Sequence, residues 1–418
     1  MARRYWVETL GCPKNKVDSD KLVGVLEADG LVPARRPEAA DLIVVNTCAF
    51  IEAARQESID AVLALSDVRP SGGRLVVTGC MAERYGDELA AALPEADLVA
   101  GFGVPISLTA TRSGSRQVPS FDLLNLPRPP VPAPWAYVKV AEGCDRACGF
   151  CAIPSFRGKQ RSRSFDAILT EVEGLGVQEV VLVAQDLASY GRDDGRRGDI
   201  VRLVRAVAAR VARTRLLYLY PSELTDRLIE AIGDTGCPYF DLSLQHASGA
   251  HLRRMRRWGD GTRFLERIRT IRDRYPEAAF RSSFIIGYPG ETEEDHDRLL
   301  AFLEEAELDW AGFFAFSSEE GTYAAGLPET VDSALVAERL LECGELQDAI
   351  TARHRQALVG STTRALVDAP GTARSHREAP EIDGVLRLRD GRSPALAGRF
   401  VDVAITGAVG PDLEAMVV

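Results

Sequence analysis

The 418-residue sequence lacks any long apolar run, and this absence excludes a membrane-spanning helix. No stretch approaches the roughly 20 consecutive apolar residues that a bilayer requires. The first residues, MARRYWVETLG, contain two arginines but no apolar segment behind them, so they do not form a secretory signal. We therefore expect a cytoplasmic protein with no membrane attachment.

Lysine is scarce: of 50 basic residues, five are lysines, which we interpret as compositional drift (Lys14, Lys16, Lys21, Lys139 and Lys159). The net charge of -11 argues against general affinity for nucleic acid, which requires a basic surface to neutralise phosphates. It is compatible with a basic partner, or simply with solubility. The 46% of apolar residues can bury real cores, and the length predicts two or three domains.

A fourth cysteine is missing from the densest cysteine cluster, EGCDRACGFC, where Cys144, Cys148 and Cys151 follow the spacing C-x3-C-x2-C. The chain has eight cysteines, and in a reducing compartment metal or catalytic use is the better interpretation than disulfides. A closed zinc site needs four ligands, but no histidine follows before His246. An iron–sulfur cluster normally has four cysteine ligands, so three would leave one iron open to another ligand.

Three more cysteines follow predicted strands in the N-terminal segment. Apolar runs alternate there with helical patterns, which predicts a parallel sheet covered by helices. Cys12, Cys48 and Cys80 each come just after such a run, in TLGC, VNTC and VTGC. Because parallel strands end at one edge of a sheet, we expect the three thiols to converge in space. A shared metal site is favoured over a coincidence of packing.

The chain is predicted to be a multidomain α/β protein. Residues 1–111 form an N-terminal parallel α/β sandwich, and residues 112–134, rich in Pro and Ser, form a linker or draped loop. Residues 135–357 contain six strand–helix units, which predict a partial (β/α) barrel with its site at the C-terminal ends of the strands. Residues 358–418 predict a small antiparallel β-barrel.

The cysteine motif resembles the signature of the radical S-adenosylmethionine (SAM) superfamily, including the aromatic Phe150 before its last cysteine. The stretches TLGCPKNKVDS, VVNTCAF and VTGCMAERYG and the terminal β-module resemble the methylthiotransferases of that superfamily over essentially the whole chain. The resemblance implies SAM and two 4Fe–4S clusters as cofactors. One cluster would be held by Cys144, Cys148 and Cys151, and the other by Cys12, Cys48 and Cys80.

Within that family, several stretches resemble the branch that modifies a ribosomal protein: GCPKN, CAIPSFRG, AQDLASYG, LQHAS and SEEGTYAAGLP. This branch inserts a methylthio group at the β-carbon of an aspartate in the twelfth protein of the small subunit, which is basic. The implied partners are that protein, ribosomal RNA, and an electron donor such as flavodoxin or ferredoxin. The last segment resembles a TRAM domain, and its seven Arg against eight acidic residues suit RNA poorly.

Two other functions stay open. A methylthiotransferase acting on tRNA adenosine shares every cysteine, and only the short motifs and the charge separate it. A non-enzymatic iron–sulfur protein that binds RNA is an alternative of another class, although it leaves the open coordination site unexplained. The basic run RRMRR at 253–257, on a predicted helix, could touch ribosomal RNA, but we favour a solvated basic face.

Four polar or glycine positions, three at strand ends and one within the fifth strand, are candidates for cofactor contacts. Gln185 and Gln245 follow apolar strands and either contact the cofactor or substrate, or cap a loop. Arg281 either pairs with the SAM carboxylate or forms a buried ion pair. Gly287 either approaches SAM or belongs to a turn capped by Thr292 with Asp295, and both can hold together.

Overall fold

The computed structural model describes residues 3–102, 104–106, 123–390 and 393–418, which build three connected units. The N-terminal unit is a parallel sheet of order β2-β1-β3-β4-β5. Helix α1 covers one face, and α2 and α3 cover the other. The elements are β1 (Arg4–Thr9), α1 (Pro13–Ala28), β2 (Val32–Pro33), β3 (Leu42–Thr47), α2 (Glu52–Val68), β4 (Arg74–Gly79), α3 (Cys80–Ala92) and β5 (Leu98–Ala100).

The central strand of this sheet explains the apolar run in the sequence. Every residue of β3 is buried, because helices cover both of its faces and β1 and β4 flank it. The predicted sandwich is confirmed, and the sequence missed only the two-residue strand β2. Residues 107–122, which include residues 112–122 of the predicted linker, lie outside the described residues. After them, Leu123 and Leu124 are buried.

The central unit is a partial barrel of six parallel strands in the order β6-β9-β10-β11-β12-β13. The bridge between Leu219 and Leu242 joins its two halves. Among the described strands, β6 and β13 do not pair, so the barrel is open on that side. The strands are β6 (Trp135–Lys139), β9 (Glu179–Val183), β10 (Arg213–Leu216), β11 (Tyr239–Gln245), β12 (Ala279–Ile286) and β13 (Trp310–Ala315).

Helices surround the barrel, and a small hairpin stands at its mouth. The hairpin pairs β7 (Ala141–Glu142) with β8 (Arg161–Ser162), and the short helix α4 (Ile153–Arg157) lies between them. Thr292 and Asp295 form the predicted capping box at the start of α10. The remaining helices are α5 (Phe165–Leu175), α6 (Asp199–Ala208), α7 (Asp226–Gly233), α8 (Gly249–Arg254), α9 (Gly261–Arg274), α10 (Glu293–Ala306) and α11 (Ser333–Ala357). No described helix is both long and apolar enough to span a bilayer.

The C-terminal unit is a closed five-stranded barrel of order β14-β15-β16-β18-β17. The small antiparallel β-barrel predicted from the sequence is confirmed, and within it one pair, β16 with β18, is parallel. The strands are β14 (Thr362–Ala369), β15 (Thr372–Arg374), β16 (Leu386–Leu388), β17 (Phe400–Val409) and β18 (Asp412–Val417).

The C-terminal unit is fixed to the N-terminal ends of the large barrel's strands. The hydroxyl of Tyr137 donates to Pro380 O at 2.7 Å, and Nε1 of Trp310 donates to Arg377 O at 2.8 Å. Beside them, the fully buried Glu179 accepts from Arg215 at 2.9 Å and from Arg374 of β15 at 3.0 Å. The opposite ends of the strands stay free for the cysteine sites.

Candidate active site

The three N-terminal cysteines lie at the C-terminal ends of three adjacent strands, as the sequence predicted. Cys12 follows β1 and precedes α1, Cys48 follows β3, and Cys80 begins α3 directly after β4. Two glycines make this convergence sterically feasible. A Cβ on Gly11 would lie 2.9 Å from Sγ of Cys48, and one on Gly79 would lie 2.3 Å from Oδ1 of Asn46. Both glycines have positive φ, which other residues adopt with strain.

The thiols of this triad influence one another electrostatically. Burial, with the charges of Cys80 and Cys12, raises the pKa of Cys48 to about 12. Burial also raises the pKa of Cys80, although Arg157 opposes the shift. Burial opposes ionisation of Cys12 as well, but Lys14, Arg157 and backbone N–H groups outweigh it and lower its pKa. Neighbouring buried thiols of this kind ionise together when a metal group binds between them.

The cysteines of the central motif occupy the loop between β7 and α4, at the mouth of the barrel. Cys144 N donates to Gly158 O at 3.1 Å, and Gly149 N donates to Met255 O at 2.8 Å. Sulfur acceptors are also engaged: Arg146 N lies 3.4 Å from Sγ of Cys144, and Nη1 of Arg257 lies 3.4 Å from Sγ of Cys148. Hydrogen bonds to cysteine sulfur are a feature of iron–sulfur sites.

Burial also governs the pKa values of the central thiols. Burial raises the pKa of Cys144 to about 11, against the opposing N–H of Arg146. It raises the pKa of Cys151 to about 12, against the N–H of Ile153. All three central thiols are half-buried, so the loop shields them without closing them off.

The sulfur geometry of both triads fits a cluster better than a single zinc ion. In neither triad do all three sulfurs lie within 4.8 Å of one another. Tetrahedral zinc, with Zn–S near 2.3 Å, would draw them to about 3.8 Å apart. A thiolate-only donor set is what iron–sulfur clusters use, and hydrogen bonds to the sulfurs tune such clusters. The residues present therefore fit one 4Fe–4S group at each triad.

Arg157 connects the two cysteine sites. Its Nη2 donates to Sγ of Cys80 at 3.0 Å and to Oδ1 of Asn15 at 2.8 Å. Its Nη1 donates to Glu142 Oε1 at 2.8 Å, just before the central motif. Lys139 completes this buried network by donating to Glu142 at 2.6 Å and by pairing with Asp18 of α1. The network ties the N-terminal sheet to the loop that carries Cys144.

Three candidate cofactor residues, two at strand ends and one in the central cysteine loop, differ in the contacts they make. Gln185 donates to Glu142 Oε1 at 2.6 Å, and its buried carbonyl oxygen has no partner among the described residues. Gln245 has a φ of 72°. Within the described chain, its side-chain amide makes no hydrogen bond. Phe150 packs against the edge of the barrel core. These three can still contact a ligand, which remains a prediction.

Arg281 and Gly287 have contacts that account for them without a cofactor. Nη1 of Arg281 pairs with Asp241 at 3.0 Å, and its Nε lies 3.6 Å from Asp383, which is the buried ion pair considered from the sequence. A Cβ on Gly287 would lie 2.4 Å from Val336 of α11, so packing alone requires glycine there. Their cofactor contacts stay predictions without a supporting contact.

Arg257 and Lys14 are two of the cations at the site that sequence reasoning missed. The solvated face expected for RRMRR is wrong for Arg257, which is buried because α8 ends at Arg254 and the chain turns at Arg256, with a φ of 54°. Lys14, dismissed with the other lysines, is also buried, and its Nζ lies 3.3 Å from the centroid of the Tyr218 ring. The signal that could have identified Lys14 from the sequence is its position, two residues after Cys12.

Three family comparisons match the three units. Residues 4–101 match the uncharacterized protein family UPF0004, residues 138–303 match the radical SAM superfamily, and residues 359–418 match the TRAM domain. Among solved structures, the chain resembles the radical S-adenosylmethionine methyltransferase TsrM from Kitasatospora setae with a TM-score of 0.51. That match has 14% identity and covers 75% of this chain and 72% of the other, so it shows the fold alone.

Curated relatives match along nearly the whole chain. One from Streptomyces coelicolor, named ribosomal protein uS12 methylthiotransferase RimO, is 41% identical over 99% of this chain and 96% of its own. A second of the same name from Moorella thermoacetica is 41% identical over 96% of each chain. A match of this extent spans all three units, so it shows the family of this chain.

Proposed function

This chain belongs to the ribosomal protein uS12 methylthiotransferase family, and we propose that it transfers a methylthio group to the β-carbon of an aspartate in uS12. The single observation that carries the proposal is the 41% identity to such an enzyme over 99% of the chain. The arrangement of two cysteine triads around one barrel mouth supports it, because the reaction needs a sulfur-bearing site next to a radical-forming one. It is favoured over the tRNA alternative because these curated relatives carry the uS12 name.

Membership in the radical SAM superfamily implies SAM and one 4Fe–4S cluster, for which Cys144, Cys148 and Cys151 are the ligands we propose. We propose Cys12, Cys48 and Cys80 as the ligands of a second cluster. When bound, these groups would supply a carbon radical able to remove an unactivated hydrogen, and the sulfur that replaces it. No acid or base side chain can remove such a hydrogen. The chain's own residues therefore bind the cofactors, orient the substrate and shield the site from water.

The protein's part in this reaction is positional. Arg157 and Glu142 hold the two triads in a fixed relation through buried hydrogen bonds. Arg257 and Arg146 donate to sulfurs of the central loop, and Gln185 offers a free buried oxygen at the barrel mouth. Preorganised donors of this kind keep a reactive site in one geometry while excluding water.

The partners follow from the proposed substrate and from the charge. A net charge of -11 complements a basic ribosomal protein through long-range attraction. The match of residues 359–418 to the TRAM domain favours contact with ribosomal RNA near that substrate, although the near-neutral charge of this unit limits how strongly it can attract RNA. Because the reaction consumes electrons, we also propose a small electron donor such as flavodoxin or ferredoxin.

The test uses the chain reconstituted with iron and sulfide without oxygen, then given SAM, a reductant and purified uS12. Mass spectrometry should show one methylthio increment on an aspartate of uS12. Cys148→Ala should lose both SAM cleavage and product, whereas Cys80→Ala should keep SAM cleavage and lose methylthio transfer. Cys343→Ala, outside both triads, is the matched control and should keep both. Methylthio-adenosine in added tRNA, with uS12 unmodified, would move the assignment to the tRNA branch.

A further inference from the structure

Two buried cations in the described chain have no carboxylate in salt-bridge contact. They are Lys14 and Arg257, one beside each cysteine triad, whereas every other buried Lys or Arg of the described residues has an acidic partner. Burying a cation without a counter-charge is costly, so such residues call for a negative partner. Each therefore marks a place where an anion belongs.

Arg257 and Lys14 differ in the contacts that their charged groups make. The guanidinium of Arg257 already donates to Sγ of Cys148 and to Ser243 O, and it lies over the Tyr220 ring. The ammonium of Lys14 makes no hydrogen bond within the described residues: it lies against the Tyr218 ring, and its charge also favours the Cys12 thiolate. Three N–H donors of Lys14 are thus unused at a position only 8% exposed.

Lys14 lies at the barrel mouth on the side of the sulfur-bearing triad. It belongs to the first turn of α1, just after Cys12. One turn further along α1, Val17 packs inside the barrel with Val181, Val183 and Leu217. Tyr218 follows β10 with a φ of 66°, and Asp241 accepts from its backbone N–H at 2.9 Å. The strained, hydrogen-bonded backbone of Tyr218 thus holds its ring against the ammonium, at the C-terminal end of β10.

We propose that Lys14 binds the carboxylate of the aspartate that the enzyme modifies, an inference that rests on the proposed function. The reacting carbon of that aspartate is bonded directly to the carboxylate, so a cation beside Cys12 would bring the carbon to the sulfur source. An ammonium is a compact charge with rotatable donors, which suits one entering carboxylate. Arg157 donates directly to the N-terminal triad at Cys80, whereas the ammonium of Lys14 acts on Cys12 through its charge alone, so its N–H donors remain available to a carboxylate.

The test compares Lys14→Met, Lys14→Arg and Lys16→Met in the reconstituted chain. Lys16 is the matched control, because it lies on the same helix turn, is half-exposed and pairs only with Asp20. The substrate is a uS12 peptide containing the target aspartate, and a second peptide has asparagine there. Peptide binding is measured by calorimetry, and product is measured by mass spectrometry. Iron content and peptide-independent SAM cleavage are measured for each variant as well.

Lys14→Met should weaken binding of the aspartate peptide about 10- to 100-fold, the value of a charge-assisted hydrogen bond. Lys14→Met should bind the asparagine peptide no worse than the parent chain does. The effects of changing the lysine in the enzyme and the aspartate in the peptide are then non-additive. Lys14→Arg should recover part of the affinity, and Lys16→Met should match the parent. Iron content should stay at the parent's level in Lys14→Met, because Arg157 and two backbone N–H groups also favour the Cys12 thiolate. Peptide-independent SAM cleavage, which depends on the central triad, should not change either.

The two enzymes and the two peptides form a double-mutant cycle. If Lys14→Met weakened binding of the asparagine peptide as much as binding of the aspartate peptide, the inference would be overturned. Loss of iron in Lys14→Met would also overturn it, since this would assign the lysine to the cluster rather than to the substrate. Failure of the proposed function is distinguishable, because then the parent chain itself would leave the aspartate of uS12 unmodified while still cleaving SAM.

Discussion

Nη2 of Arg157 lies 3.0 Å from Sγ of Cys80, although 77 positions separate the two residues in the chain. The same guanidinium donates to Glu142 at the start of the central cysteine loop. One buried side chain thus contacts the walls of two cysteine sites that belong to different units. The two sites are parts of one structure and not separate modules joined by a linker.

Replacing Arg157 with Met should destabilise the chain by about 3–5 kcal/mol, because Glu142 and Asp18 would lose a buried cation. Guanidinium unfolding of the reconstituted chain measures this loss. Arg298→Met removes an exposed helical pair with Glu294 and should cost less than about 1 kcal/mol. Equal losses in the two variants would contradict the structural role assigned to Arg157.

Gly143→Ala should prevent normal iron loading of the central loop. A Cβ at Gly143 would lie 2.2 Å from Lys159 O, and its φ is 77°. Displacing that carbonyl shifts the backbone directly before Cys144, at a cost of about 1–3 kcal/mol beyond the backbone strain. Gly158→Ala is the matched control, since its φ is 75° but no atom lies near its Cβ. Iron per chain should fall in the first variant and stay near the parent value in the second.

Arg257→Met should slow SAM cleavage by about tenfold or more, because Cys148 loses a charge-assisted hydrogen bond. Arg256→Met, at the exposed neighbouring position over the Tyr323 ring, should leave the rate unchanged. The amount of 5′-deoxyadenosine formed per cluster is the measurement. If the two variants behaved alike, the basic run would act as a solvated face after all.

Glu179 should give the chain a pH-dependent stability. Burial alone would raise its pKa, but Arg374, Arg215 and Arg213 outweigh burial and lower it from 4.5 to about 2. The folded chain therefore takes up this proton less readily than the unfolded chain. The stabilisation, on the order of 3 kcal/mol, is complete above pH about 4.5 and is lost as the pH falls toward about 2.

Glu179→Gln should accordingly lower the free energy of unfolding at pH 7, and its deficit should shrink as the pH falls below about 4.5. Urea unfolding at a series of pH values gives both quantities. Glu173→Gln, which removes an exposed pair with Arg210, should differ little from the parent at any pH. A deficit for Glu179→Gln that stayed constant down to pH 3 would refute the assignment.

Much of the fold could be predicted because periodicity and turn chemistry specify it locally. The runs DLIVVNTC and RLVVTGC predicted neighbouring buried strands, and the rule that parallel strands end at one edge brought Cys48 and Cys80 together. The same rule placed Gln185 and Gln245 at the barrel mouth. The capping box of Thr292 and Asp295 could be predicted from spacing alone.

The partners of buried charges could not be predicted, because they come from units far apart in sequence. Arg281 pairs with Asp383 of the C-terminal unit, and nothing in the surrounding residues indicates this. Arg257 was assigned to a helix surface, but the helix ends early and turns the side chain inward. Lys14 meets Tyr218 across the barrel mouth, a contact that exists only after the N-terminal unit has docked.

The attachment of the C-terminal barrel has a consequence for how a large substrate is held. Pro380, Arg377 and Arg374 fix that barrel to one end of the strands, whereas both cysteine triads lie at the other end. A macromolecule bound at both places would have to reach from one end of these strands to the other. Selection of a residue would then depend on its distance from the contact with the C-terminal barrel as well as on its own chemistry.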